Sequence, residues 1–216
     1  MDETVKTRRT YDNRGRAEQA RRTRRRVLAA AHDLLLESGY RATTMSQIAV
    51  AAGVSVETVY KAFGTKAALV KEVYDVALVG DDEPVPLRER PEMQALIADP
   101  DPAGKLRRYA AVARTLGQRI GPLVSVLLAG ARSGDPDLEA LAETTDRERL
   151  AGVTALVGHL DESGGLRPGL DPDRARDAIW TLISPDVYRM LVVERGWSHD
   201  DYERWLADTL VATITG

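Results

Sequence analysis

Thr43-Thr44-Met45-Ser46-Gln47-Ile48-Ala49-Val50-Ala51-Ala52-Gly53-Val54-Ser55-Val56-Glu57-Thr58-Val59-Tyr60-Lys61-Ala62-Phe63-Gly64-Thr65-Lys66 spells two short helices joined by a tight turn. Thr44 is placed to cap the first helix, and Gln47, three residues on, can return a hydrogen bond to it, which is a capping box. Gly53 stops that helix, because a left-handed conformation costs glycine nothing, and Ser55 caps the next. Ile48, Ala49 and Ala52 on one helix, and Val59 and Phe63 on the other, recur at helical spacing as inner faces, and the alanines allow close approach. The stretch reads as a helix-turn-helix.

The outward residues of the second helix are of a different kind. Ser55, Glu57, Thr58, Tyr60 and Lys61 lie around its first turns, where a recognition helix presents side chains to base edges and phosphates in the major groove. Val59 and Phe63 supply the inward stripe, so Tyr60 projects outward and offers its hydroxyl to a phosphate. Short helix pairs with glycine at the turn also occur in enzymes and helical adaptors, and the motif by itself leaves those readings open.

Charge favours nucleic acid. Residues 1–74 hold fourteen Lys/Arg against eight Asp/Glu, whereas residues 75–216 hold sixteen against twenty-five, so a whole-chain charge of −3 conceals a basic N-terminal end. Arg14, Arg16, Arg21 and Arg22 belong to a run of ten basic residues between Lys6 and Arg26. Residues 1–19 are expected as a basic, disordered arm that orders on DNA, with a solvated tail as the bland alternative. A first helix is predicted from about Ala20, carrying Val27, Leu28, Ala31, Leu34 and Leu35 inward until Gly39. Another follows over 66–79, capped by Thr65 and apolar through Leu69, Val70 and Val73, as a connector. The DNA-binding domain is thus set at 20–65, and a larger domain at 80–216.

These features resemble the TetR family of bacterial transcriptional regulators over about residues 20–75. The residues that carry the resemblance are Glu37-Ser38-Gly39-Tyr40, Thr43-Thr44-Met45, Ile48-Ala49, Ala52-Gly53-Val54-Ser55, Thr58-Val59-Tyr60, Phe63, Lys66 and Ala68-Leu69. The resemblance implies an all-α homodimeric repressor that leaves a palindromic operator when a small-molecule inducer binds its C-terminal domain. It puts Thr44 and Lys66 near phosphate, at helix N-termini whose amides and partial positive charge favour an anion. One departure is Ala62, where the family often has an aromatic residue or histidine. One phosphate contact is thereby lost, and Lys61 is placed to compensate.

The rest reads as helices without strand alternation or repeats. Gly80-Asp81-Asp82-Glu83-Pro84-Val85-Pro86 and Asp99-Pro100-Asp101-Pro102 are breaks around one short helix, after which apolar stripes resume, one helix being expected to start at Pro122. Ile179, Leu182, Ile183, Val187 and Leu191 keep helical register across Ser184-Pro185, followed by Tyr202, Trp205, Leu206 and Leu210. Two such helices at a chain end suit a dimer interface, with intramolecular packing as the alternative. Tyr109, Arg119, Arg132, Trp180 and Tyr188 interrupt apolar helices as pocket linings do, and are the candidate ligand residues.

Catalytic residues, a metal site and a cofactor are not expected. The three histidines show no ligand spacing, and neither a phosphate-cradling glycine loop nor a nucleophile elbow is present. His199-Asp200-Asp201 reads as the acidic start of a helix capped by Ser198. There is no cysteine and no apolar run of membrane-spanning length, so the expected setting is the cytoplasm and no membrane partner is expected. The expected partners are double-stranded operator DNA, a second copy of the chain and a small-molecule effector of unspecified chemistry. The alternatives are a DNA-binding protein without an effector and, more remotely, a helical enzyme or adaptor.

Overall fold

The computed structural model describes residues 3–216, with side chains from residue 15 onward. All regular elements among these residues are helical. They fall into two compact units, the first ending at Val76 and the second beginning at Ala77. The boundary lies within the expected connector helix.

In the first unit α1 spans Glu3–Ala42, α2 Met45–Ala52 and α3 Val56–Phe63, and α4, Lys66–Val79, begins in it and ends in the second. Helix α1 begins well before Ala20, taking in residues assigned to the arm. Gly39 interrupts it with φ 78° and ψ 173°. Thr43, almost fully buried, then donates its hydroxyl to the Gly39 carbonyl at 2.8 Å, which helps turn the chain into α2. Val27, Ala31 and Leu35 from α1, Ile48 and Ala49 from α2, Val59 from α3 and Leu69 and Val70 from α4 are almost wholly buried and form one small core.

The second unit contains α5 Pro91–Ala98, α6 Pro102–Arg132, α7 Pro136–Glu162, α8 Pro172–Leu182, α9 Pro185–Tyr188 and α10 His199–Ile214. Proline stands in the first turn of five of these six, where its missing N–H costs nothing. Pro122 is the exception and corrects the sequence reading. It lies inside α6 rather than starting a helix, because the apolar stripe through Leu106, Ala110, Ile120, Leu123 and Leu127 packs continuously on both sides of it. The core joins Leu106 and Ala110 of α6, Val153, Leu156 and Leu160 of α7, Ala175 and Ile179 of α8, and Tyr202, Leu206, Leu210 and Ile214 of α10.

Two details shape this unit. Asp81 and Arg90 form a two-pronged ion pair at 2.5 and 2.8 Å across the loop after α4, and that partner holds the Asp81 carboxyl down at about 2. Tyr188 packs its ring on Gly117 and Gly121 of α6; a Cβ at Gly117 would lie only 2.6 Å from that ring. At Ser184-Pro185, α8 and α9 abut rather than fuse, with Ser184 accepting from the Asp186 amide at 3.2 Å. A wider π-type turn over Arg189–Glu194 follows.

Candidate nucleic-acid interface

The two-helix core of the first unit is built by the local signals in its sequence. Thr44 and Gln47 make both halves of the capping box: the Gln47 amide donates to the Thr44 hydroxyl at 3.2 Å, and the Thr44 amide donates to the Gln47 carboxamide oxygen at 2.8 Å. Gly53 closes α2 in the left-handed region, at φ 64° and ψ 43°. Ser55 accepts from the Thr58 amide at 3.2 Å and starts α3, and the Glu57 backbone amide, with the Ser55 hydroxyl second, holds the Glu57 carboxyl below its ordinary range.

Helix α3 then divides by face. Val59 and Phe63 are buried, whereas Ser55, Glu57, Thr58, Tyr60 and Lys61 are exposed. Tyr60 is 52% exposed, a surface for which the fold itself has no use. A cleft of about 480 Å³ runs between α1 and α3, lined by Arg16, Gln19, Thr23 and Arg24 on one wall and Thr58, Lys61, Ala62 and Phe63 on the other. The small Ala62 leaves this space open. Arg16 and Lys61 therefore flank the recognition face, while Arg21 and Arg22 lie further along α1, with Arg22 donating to Gln19 at 3.1 Å. The Arg14 side chain lies outside the described residues. Arg24, which was not singled out beforehand, stacks 4.7 Å from the Phe63 ring centroid and pairs with Glu72, locking α1 to α3 and α4.

Lys66 has partners inside the fold. Its ammonium donates to the carbonyls of Tyr40 at 2.8 Å and Thr43 at 3.0 Å and lies 3.7 Å from the Tyr40 ring centroid. A lysine at the start of α4 thus satisfies carbonyls left over at the end of α1, which favours a cation there. It holds the end of α1 against the start of α4. Thr44 is exposed at the start of α2, and its hydroxyl also donates to the Gln47 carboxamide oxygen at 2.8 Å.

The C-terminal assignments divide as well. Ile179, Tyr202, Leu206 and Leu210 are at most 1% exposed within a single chain, so they are core and have no surface for a partner. Leu182, Ile183, Val187, Leu191 and Trp205 are half-buried, and Met190 and Val193, at 43% and 65%, are exposed beside them. Of the candidate ligand residues, Arg132 lies on the surface paired with Asp186 at 2.7 Å. Arg119 donates to the Val79 carbonyl at 2.8 Å, closing the end of α4. Tyr188 is buried, and its hydroxyl meets His199 Nδ1 at 3.0 Å. Tyr109 and Trp180 pack against the core. Ser198 accepts from the Asp201 amide at 3.0 Å, so the His199 segment begins α10 as its sequence implies. Among the described residues no cluster of three or more His, Asp or Glu could hold a metal ion, and no helix is long and apolar enough to cross a membrane.

Two short helices in a fixed turn, the second presenting an exposed polar face and flanked by arginines, define a helix-turn-helix DNA-binding protein. Residues 27–73 match the family model described as bacterial regulatory proteins, tetR family. It is 28% identical over 170 residues to the HTH-type transcriptional regulator YdeS of Bacillus subtilis (strain 168), covering 79% of each chain. Its fold matches that of a TetR-family transcriptional regulator from Rhodococcus sp., with a TM-score of 0.69 at 15% identity over 89% of this chain and 98% of that one. The transcriptional regulator FadR from Bacillus subtilis, solved in complex with stearoyl-CoA, is similar with a TM-score of 0.67 at 20% identity, over 88% and 98% of the two chains.

Proposed function

We propose that this regulator is a cytoplasmic repressor which binds a palindromic operator as a homodimer and is released by a small molecule held in its C-terminal unit. The observation that carries the reading is the division of α3 into a buried face and an exposed one bearing Glu57, Thr58, Tyr60 and Lys61. Glu57 and Thr58 face base edges, while Tyr60, Lys61, Thr44 and the arginines of α1, Arg14, Arg16, Arg21 and Arg22, supply phosphate contacts. Dimerisation follows from energetics. One short recognition helix binds weakly, whereas two held in one particle act at high effective concentration.

The half-buried Leu182, Ile183, Val187, Leu191 and Trp205, with the exposed Met190 and Val193, supply the apolar surface such a dimer would cover. The C-terminal unit has a core of its own, and the fold relative FadR, solved with stearoyl-CoA, supports a ligand role for that unit. Light scattering of the purified protein with and without a duplex carrying its operator tests the assembly. The expected result is a dimer at micromolar concentration; a monomer that still binds one half-site specifically would overturn it.

A further inference from the structure

Three side-chain donors beside the recognition helix have no acceptor among the described residues. Thr23 is the first. Threonines inside the helices of the C-terminal unit, such as Thr115, Thr144, Thr154 and Thr209, turn their hydroxyls back onto a carbonyl of their own helix at 2.7–3.0 Å. Thr23, in the middle of α1, makes no such bond. Gln19 is the second: its carboxamide oxygen accepts from Arg22 at 3.1 Å, which leaves its two amide N–H groups uncommitted. The third is Lys61, exposed and without an ion pair among the described residues.

All three line one space, the cleft of about 480 Å³ between α1 and α3. It is open to solvent, Ala20, Val27, Ala62 and Phe63 give it an apolar part, and no carboxylate is among its lining residues. The Arg24 charge is already spent on Glu72 outside the cleft. Thr58 and Lys61 belong both to this cleft and to the exposed face of α3, so the two surfaces are continuous. The Thr58 hydroxyl is engaged with that of Ser55 at 3.1 Å, which leaves the polar work of the cleft to Lys61 and the α1 wall.

Resting on the reading that α3 binds operator DNA, we infer that this cleft seats one sugar–phosphate step of the DNA backbone. The phosphate oxygens accept from Lys61, Thr23 and Gln19, and the deoxyribose lies against Ala20 and Ala62. Gln19 and Thr23 thereby join the DNA contacts, and the small side chain of Ala62 acquires a role, since it leaves the room the sugar takes. A phosphodiester suits the cleft because it offers acceptors only, carries a negative charge for Lys61 and is joined to a largely apolar sugar. Free phosphate would leave the apolar part wet, and an uncharged apolar ligand would strand three donors.

The test uses the full chain and a duplex that it selects from a pool of random sequences, with uncharged methylphosphonate then placed at one backbone position at a time. At one position in each bound site the replacement should weaken wild type by about tenfold and Lys61→Met hardly at all, because lysine and phosphate lose the same contact. Thr23→Val, which keeps the shape and removes the hydroxyl, should weaken the unmodified duplex by about fivefold without changing the slope of log K against log salt, whereas Lys61→Met should lower that slope by about 0.9 per subunit. Ala62→Leu, which fills the cleft, should weaken binding by about tenfold or more with an unchanged melting temperature. Full affinity in both Thr23→Val and Ala62→Leu, or methylphosphonate losses that add to the Lys61→Met loss at every position, would overturn the cleft assignment while the DNA reading stands. A pool from which no duplex is enriched would overturn the DNA reading and the cleft with it.

Discussion

The two units of this chain use opposite design logic. In the first, the caps and turn that set α2 and α3 act within a few residues, Thr44 with Gln47, Ser55 with Thr58 and Gly53 at its turn, while Arg24 with Glu72 and Lys66 with the Tyr40 and Thr43 carbonyls tie the helices together. In the second, contacts that fix the packing join elements far apart in sequence: the Tyr188 ring lies on Gly117, Arg149 meets Trp180 and Arg119 meets the Val79 carbonyl. A locally specified unit can keep a fixed outer face for DNA. A unit specified by distant contacts can be retuned toward a different ligand by changing few residues.

The contrast is broken most severely at the inner face of the recognition helix. Phe63→Ala should cost the N-terminal unit about 3–5 kcal/mol, because a buried ring that also carries Arg24 is removed from a small core. Two-probe denaturant titration checks this: helicity loss should come in two stages, with tryptophan fluorescence, which arises entirely from the second unit, reporting only the later one. Lys66→Met should cost about 1.5–3 kcal/mol through the loss of charged hydrogen bonds to two carbonyls. The salt dependence of operator binding should keep its slope in this variant; a slope reduced by about 0.9 per subunit would return Lys66 to the phosphate backbone.

In the other unit Gly117→Ala should cost about 1–3 kcal/mol, since its methyl would press on the Tyr188 ring. The fluorescence-detected transition should shift while operator affinity at low temperature stays near wild type. Smallest is Tyr60→Phe, which removes one exposed hydroxyl and should weaken operator binding by about 1 kcal/mol with an unchanged melting temperature.

The same contrast explains what could be read from the sequence. Thr44, Gln47, Gly53, Ser55, Val59 and Phe63 were legible because caps, turns and helical periodicity depend on neighbours a few positions away. The structural role of Lys66 was not legible because its partners, the carbonyls of Tyr40 and Thr43, are carbonyls that every residue carries and no pattern marks. Pro122 was misread because a proline rule is local, whereas the packing that holds α6 together through it is not. Ile179, Tyr202, Leu206 and Leu210 were placed at an interface because periodicity tells that a face is apolar and not whether its own chain covers it. Arg149 carried no signal at all, being one arginine in a charged helix until α8 brought Trp180 against it.

The central claim is that α3 reads DNA and that two copies do so together. Footprinting on the segment upstream of the protein's own gene, with wild type and Tyr60→Phe side by side, tests it most directly. The expected result is two protected patches related by a palindrome and roughly 34–36 Å or a small multiple of a helical turn apart, with the variant needing several-fold more protein for the same protection. A single patch, or protection equally strong in a variant with Glu57, Thr58, Tyr60 and Lys61 all changed to alanine, would contradict it.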